Sequence, residues 1–110
     1  MTADRAQIVP GTLEMLVLKT LSLEPMHGWG VGERIQDLSR DLFTVNQGTL
    51  YPTLERLLRA GMITSEWRTT ENNRRARYYR ITRSGLAYLE KEREEWERSS
   101  RAVNLILRTT

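Results

Sequence analysis

The chain has 110 residues, room for one compact domain and not for two. It has no cysteine and a single histidine, His27, which excludes disulfides and thiolate metal sites and leaves a poor set of zinc ligands; no cofactor is expected. The net charge of +3 says little about partners, but every one of the 17 basic residues except Lys19 and Lys91 is arginine, the residue whose planar fork grips phosphate in two places.

No apolar run approaches the roughly 18 residues of a membrane span, so no membrane partner is expected. Met1 to Pro10 lacks the basic-then-apolar pattern of a secretion signal. A cytoplasmic protein is the expectation. From Met62 to Arg83 six arginines (68, 74, 75, 77, 80 and 83) face only Glu66 and Glu71. From Ser84 to Glu97 the sign reverses, with five glutamates against Lys91 and Arg93. A basic block beside an acidic one suggests a face for an anion and another turned from it, though a plain solvated surface gives the same pattern.

Residues 1–11 lack periodicity and read as a flexible arm. A first helix starts after Thr12, its N-cap. Leu13, Leu16, Val17, Thr20 and Leu21 form one stripe, and Met15 and Leu18 lie off it, so the helix needs cover on more than one side. A second subunit is the obvious cover. Glu24-Pro25 ends the segment. A second helix runs from His27-Gly28 to about Ser39, with Val31, Ile35 and Leu38 inward. Gly28, Gly30 and Gly32 point to a tight turn and close helix packing, since the spacing of a nucleotide-binding loop is absent. His27 reads as a helix-start residue ahead of a ligand.

A third helix opens near Asn46 and closes at Ala60-Gly61, with Leu50, Leu54, Leu57 and Leu58 inward and Gly61 as the stop. Pro52 inside it requires a helix that starts near Thr49 or one that bends. Two strand-like runs follow, Met62 to Thr69 and Arg77 to Thr82, joined by a turn over residues 70–75. Trp67 and Tyr79 read as core. Thr82 caps a last helix from Arg83 to about Leu107, where Leu89, Trp96 and Val103 recur every seven residues, a seam for a partner helix.

Three helices, a hairpin and a long helix make a mainly α fold with a small β-hairpin (α+β): a winged helix-turn-helix over 12–83 and a C-terminal dimerisation helix over 84–110. The third helix would enter the major groove of duplex DNA. Its outward Gln47, Thr49, Tyr51, Pro52, Thr53 and Arg56 are the candidate DNA contacts, and its N-terminal amides are candidates for a phosphate. Gln47 and Thr49 could instead only cap the helix, and Tyr51 could pack on Pro52. Arg74, Arg75 and Arg77 on the hairpin are the candidate phosphate grips, against a solvated turn. Leu16, Leu89, Trp96, Val103 and Leu107 are the candidate dimer interface. Trp96 could there stack on a flat aromatic effector or simply fill the interface.

Several blocks together carry a family likeness. They are His27-Gly28-Trp29-Gly30-Val31, Gly48-Thr49-Leu50-Tyr51-Pro52-Thr53-Leu54, Ala60-Gly61-Met62-Ile63 with Leu57, Glu66-Trp67, and Arg77-Tyr78-Tyr79-Arg80-Ile81-Thr82 with Gly85. In order and spacing, over about residues 13–97, they resemble the PadR family of bacterial transcriptional regulators. The single last helix resembles its compact subfamily. Trp29 stands where the family more often has tyrosine and Gly30 where it often has a longer residue; neither is expected on the DNA face. The resemblance implies a homodimer with the last helix packed on the partner's first, and repression relieved by a small hydrophobic effector. An inverted-repeat operator follows from two such subunits. The rival reading is a winged helix that binds protein and does not read DNA sequence. An enzyme is rejected, because a single histidine and no cysteine assemble no nucleophile–base pair.

Overall fold

The computed structural model describes Ile8 and residues 11–110. The arm expected over 1–11 therefore lies outside the described residues, except for Ile8 and Gly11. The elements run α1 (Leu13–Leu23), β1 (Met26–His27), α2 (Gly28–Leu38), α3 (Gln47–Arg59), β2 (Ile63–Thr69), β3 (Arg75–Ile81) and α4 (Arg83–Leu107). This is the α+β arrangement the sequence predicts, with a strand added. β1 pairs antiparallel with β3 (Met26 opposite Tyr79, His27 opposite Tyr78), so the sheet has three strands in the order β1-β3-β2. Two residues carry no alternation, which is why the sequence does not announce β1.

Helix starts follow the local chemistry. His27 caps α2 through Nδ1, which accepts the Gly30 amide at 2.9 Å, and its ring meets Tyr78 edge-on at 5.6 Å. Asn46 caps α3, its side-chain oxygen accepting from the Gly48 amide at 2.6 Å. Thr82 caps α4 through the Gly85 amide at 3.0 Å. α1 stops at Glu24, held extended by the proline after it. Gly61, at φ +73°, closes α3 in the left-handed conformation. α3 starts at Gln47, so Pro52 lies beyond the first turn and the Gly48 carbonyl receives no amide from it.

α1 lies at the centre, against α2, α3, β3 and α4. Val17, Leu18 and Leu21 from α1, Val31 and Ile35 from α2, and Leu50, Leu54 and Leu57 from α3 form the buried core with Ile63, Tyr79 and Leu89. Much of the cover α1 needs thus comes from its own chain. Leu38 is exposed, in contrast to the inward side expected of it. The glycines of α2 serve packing. A Cβ on Gly28 would stand 2.7 Å from the Tyr51 ring, and one on Gly32 would touch Leu50 at 3.5 Å.

One more core expectation is corrected. Trp67 is 60 % exposed. Along its face of β2, Ile63 is buried, Ser65 half-buried and Trp67 open, because the hairpin runs out past the helices that cover its base. Leu89, expected on the partner-facing seam, belongs to this chain's own core and also lines, with Leu16 and Trp96, a cleft between α1 and α4. α4 itself runs about 37 Å, and its last turns carry Val103, Leu105, Ile106 and Leu107 exposed.

Candidate nucleic-acid interface

The exposed side of α3 divides into two stripes. Gln47, Tyr51, Pro52, Glu55 and Arg59 face the hairpin side, and Thr49 and Arg56 face a cleft against the start of α1. Thr53, one turn after Thr49 at the back of that cleft, is fully buried. Its hydroxyl donates to the Thr49 carbonyl at 2.9 Å and accepts from Arg56 Nη2 at 3.1 Å. It cannot reach a base edge, which corrects its place among the candidates. Arg56 is half exposed, with its Nε 3.1 Å from Glu14.

The N-terminus of α3 offers less to an anion than expected. The Asn46 side chain takes the Gly48 amide, and the Asn46 carbonyl takes those of Thr49 and Leu50 at 3.0 and 2.9 Å.

The hairpin turn is tighter than the sequence predicts. Thr69 pairs with Arg75, the Thr70 and Arg74 backbones bond across the turn, and Asn73 takes φ +59°. Arg74 therefore lies in the turn, and Arg75 and Arg77 lie on β3. Arg75 sets its guanidinium 5.5 Å over the Trp67 ring. Arg77 is not a tip residue. Its Nη1 meets Glu55 at 3.1 Å, its Nε donates to Ser65 at 2.9 Å, and its guanidinium lies 5.6 Å from the Tyr79 ring. It ties hairpin to helix, so α3 and the arginine-bearing strand share one side of the molecule.

The sequence misses three residues of this face. Glu55 lies one turn after Tyr51, and that i+4 spacing is the signal that could have found it. Trp67 reads as core from its alternation with Ile63 and Ser65. Trp29, expected away from this side, is 56 % exposed and lines the same cleft as Tyr51 and Trp67.

The remaining candidates lie elsewhere. Leu16 and Trp96 line a cleft of about 390 Å³ between α1 and α4, together with Met15, Lys19 and Arg93. Val103 and Leu107 lie farther along α4, exposed. Among the described residues no helix is long and apolar enough to cross a membrane.

Comparison with known proteins agrees with this architecture. Transcriptional regulator Rv3488 of Mycobacterium tuberculosis is 44% identical over 68 residues, which span 62% of this chain and 63% of that protein. The crystal structure of a PadR family transcriptional regulator from Eggerthella lenta superposes with TM-score 0.79 at 33% identity, covering 91% of this chain and 85% of that one. A transcriptional regulator from Clostridium thermocellum superposes at 0.78 with 30% identity, covering 86% and 91%. The pattern of the PadR-like transcriptional regulators matches residues 17–91. With fold, core and sequence all in agreement, the chain belongs to the PadR-like family of transcriptional regulators, which bind DNA and are not enzymes.

Proposed function

We propose that the chain is a homodimeric cytoplasmic repressor that reads an inverted repeat in duplex DNA and is released by a small aromatic or hydrophobic effector. The observation that carries the DNA reading is the shared side of α3 and β3, joined by Arg77 and Glu55. Gln47, Thr49, Tyr51 and Pro52 reach base edges and sugars in the major groove, and Arg74 and Arg75 hold flanking phosphates. Two copies related by a twofold axis place their α3 helices about one DNA turn, roughly 34 Å, apart.

The dimer reading rests on the outer half of α4. Trp96, Val103, Leu105, Ile106 and Leu107 are all exposed, and a second copy is the cover that would remove them from water. The α1–α4 cleft beside Trp96 has the size and aromatic wall for a flat ligand. An effector there weakens DNA binding if it favours a spacing of the two α3 helices that the operator does not match.

Footprinting of the DNA upstream of the gene, with and without candidate aromatic compounds, tests the reading. A protected inverted repeat that opens on adding a compound is expected. No protection at any site would favour a protein-binding winged helix, and light scattering that gives a monomer would remove the twofold mechanism.

A further inference from the structure

An exposed aromatic surface lies between the start of α2, the middle of α3 and the hairpin. Trp29, Tyr51 and Trp67 line one cleft of about 370 Å³ there, with Glu55 and Arg77 between them. Trp29 is 56 %, Trp67 60 % and Tyr51 40 % exposed. Neither indole serves the core, and neither lies on the α1–α4 side, where a second copy is expected. Leaving two indoles in water forfeits a large hydrophobic gain, so such a pair marks a contact surface.

The charges around the slot identify the occupant. Arg75 sits over the Trp67 ring, Arg74 lies next to it in the turn, and Tyr51 belongs to α3, the helix read above as the recognition helix. An apolar wall edged by guanidinium groups is complementary to one strand of a duplex, whose deoxyribose faces are apolar and whose phosphates are anionic. Resting on the DNA reading above, we infer that Trp29 and Trp67 form a slot for the sugar-phosphate strand next to the recognition helix. The indoles pack on deoxyribose, their Nε1–H groups can donate to phosphate oxygens, and Arg75 is held by Trp67 in line with the strand. Such a contact holds DNA in register without reading its sequence.

This assignment separates apolar from ionic contacts. Binding of the full-length chain to operator and random duplexes is measured across a salt series for W29A, W67A, W29F, W67F and R75A. W29A is expected to lose about tenfold in affinity on both duplexes, roughly the effect of removing one packed aromatic ring, with the salt slope unchanged; W67A loses at least as much, together with part of Arg75's share of the slope. The phenylalanine variants recover most of that loss, whereas R75A lowers the slope. Circular dichroism melts like the wild type's show that the exposed indoles are not needed for folding. Wild-type affinity in both alanine variants would overturn the slot while leaving the DNA reading intact. So would a loss seen only as a smaller slope. Equal affinity for the single strand would replace sugar packing with base stacking. A wild-type chain that binds no duplex would remove the DNA reading and the slot together.

Discussion

Gly85 is the position where the structure predicts the largest effect from the smallest change. It lies buried in the first turn of α4, against the strand that follows α3. A methyl group there would overlap the Met62 carbonyl oxygen, and would stand 2.7 Å from Ile81 Cγ1 and 3.1 Å from the Met62 carbonyl carbon. Carbon atoms in contact prefer about 3.5–4.0 Å, so backbone must move. The Met62 carbonyl accepts from the Thr82 amide and the Thr82 hydroxyl, both at 3.0 Å, and that movement strains both bonds. Overpacking costs about 1–3 kcal/mol and each weakened hydrogen bond up to about 1 kcal/mol. The helix preference of alanine returns at most about 1 kcal/mol. Gly85→Ala should therefore destabilise by about 2–4 kcal/mol, or lower Tm by roughly 8–16 °C in a chain of this size. Thermal and urea unfolding at one fixed protein concentration measures it, since self-association would make Tm concentration-dependent. Gly61→Ala is the control. A Cβ there meets nothing within 4 Å, but φ is +73°, so only the left-handed penalty of about 1–2 kcal/mol applies. A Gly85→Ala chain that melts with the wild type, or above Gly61→Ala, would refute the packing argument.

Replacing Arg74 and Arg75 together by alanine should weaken binding to all duplexes and lower the salt slope by about 0.9 for each phosphate left without its guanidinium; an unchanged slope removes the hairpin from the interface. Glu55→Gln should release Arg77 toward phosphate, tightening non-specific binding and raising the slope by about 0.9, and a loss of affinity would show that the pair serves to position the hairpin. Burial holds the Tyr79 phenol above its ordinary 10.0, with Arg77 opposing and Glu55 and Tyr51 adding to the rise. Its contribution is complete below pH 10 and fades as pH climbs through the higher folded value, so urea midpoints should fall on the alkaline side and Tyr79→Phe should flatten that fall. Leu54→Ala, at a fully buried position, should cost about 2–5 kcal/mol, and a smaller loss by urea unfolding would mean that the core closes over the gap.

The parts of the fold that are legible in the sequence are those set by neighbours in the chain. The leucine stripe of α3, the Thr82 cap and the Gly61 stop each follow from a few adjacent residues. Faces are harder. Alternation along β2 correctly groups Ile63, Ser65 and Trp67, but it cannot tell where the covering helices end, and Trp67 lies past that end. Thr53 resembles a surface polar residue in sequence, and the Thr49 carbonyl and Arg56 guanidinium within reach of its hydroxyl make burial tolerable. Leu89 sits in a regular seven-residue spacing, yet α1 of the same chain covers it. Arg77 reads as one of three equivalent arginines until Glu55 and Ser65, 22 and 12 residues earlier, are brought to it by the pairing of β2 with β3 and the packing of α3.

Thr82 has a role larger than closing one helix. Its one hydroxyl proton is shared between the carbonyls of Gly61 (2.7 Å) and Met62 (3.0 Å), and its oxygen accepts from Gly85, so a single side chain pins together the exit of α3, the roots of both hairpin strands and the root of α4. With Gly85 packed against the Met62 backbone, that junction is closely filled as well as hydrogen-bonded. The hairpin and α4 thus share one root, and a change in the angle at which α4 leaves it would bear on the hairpin as well.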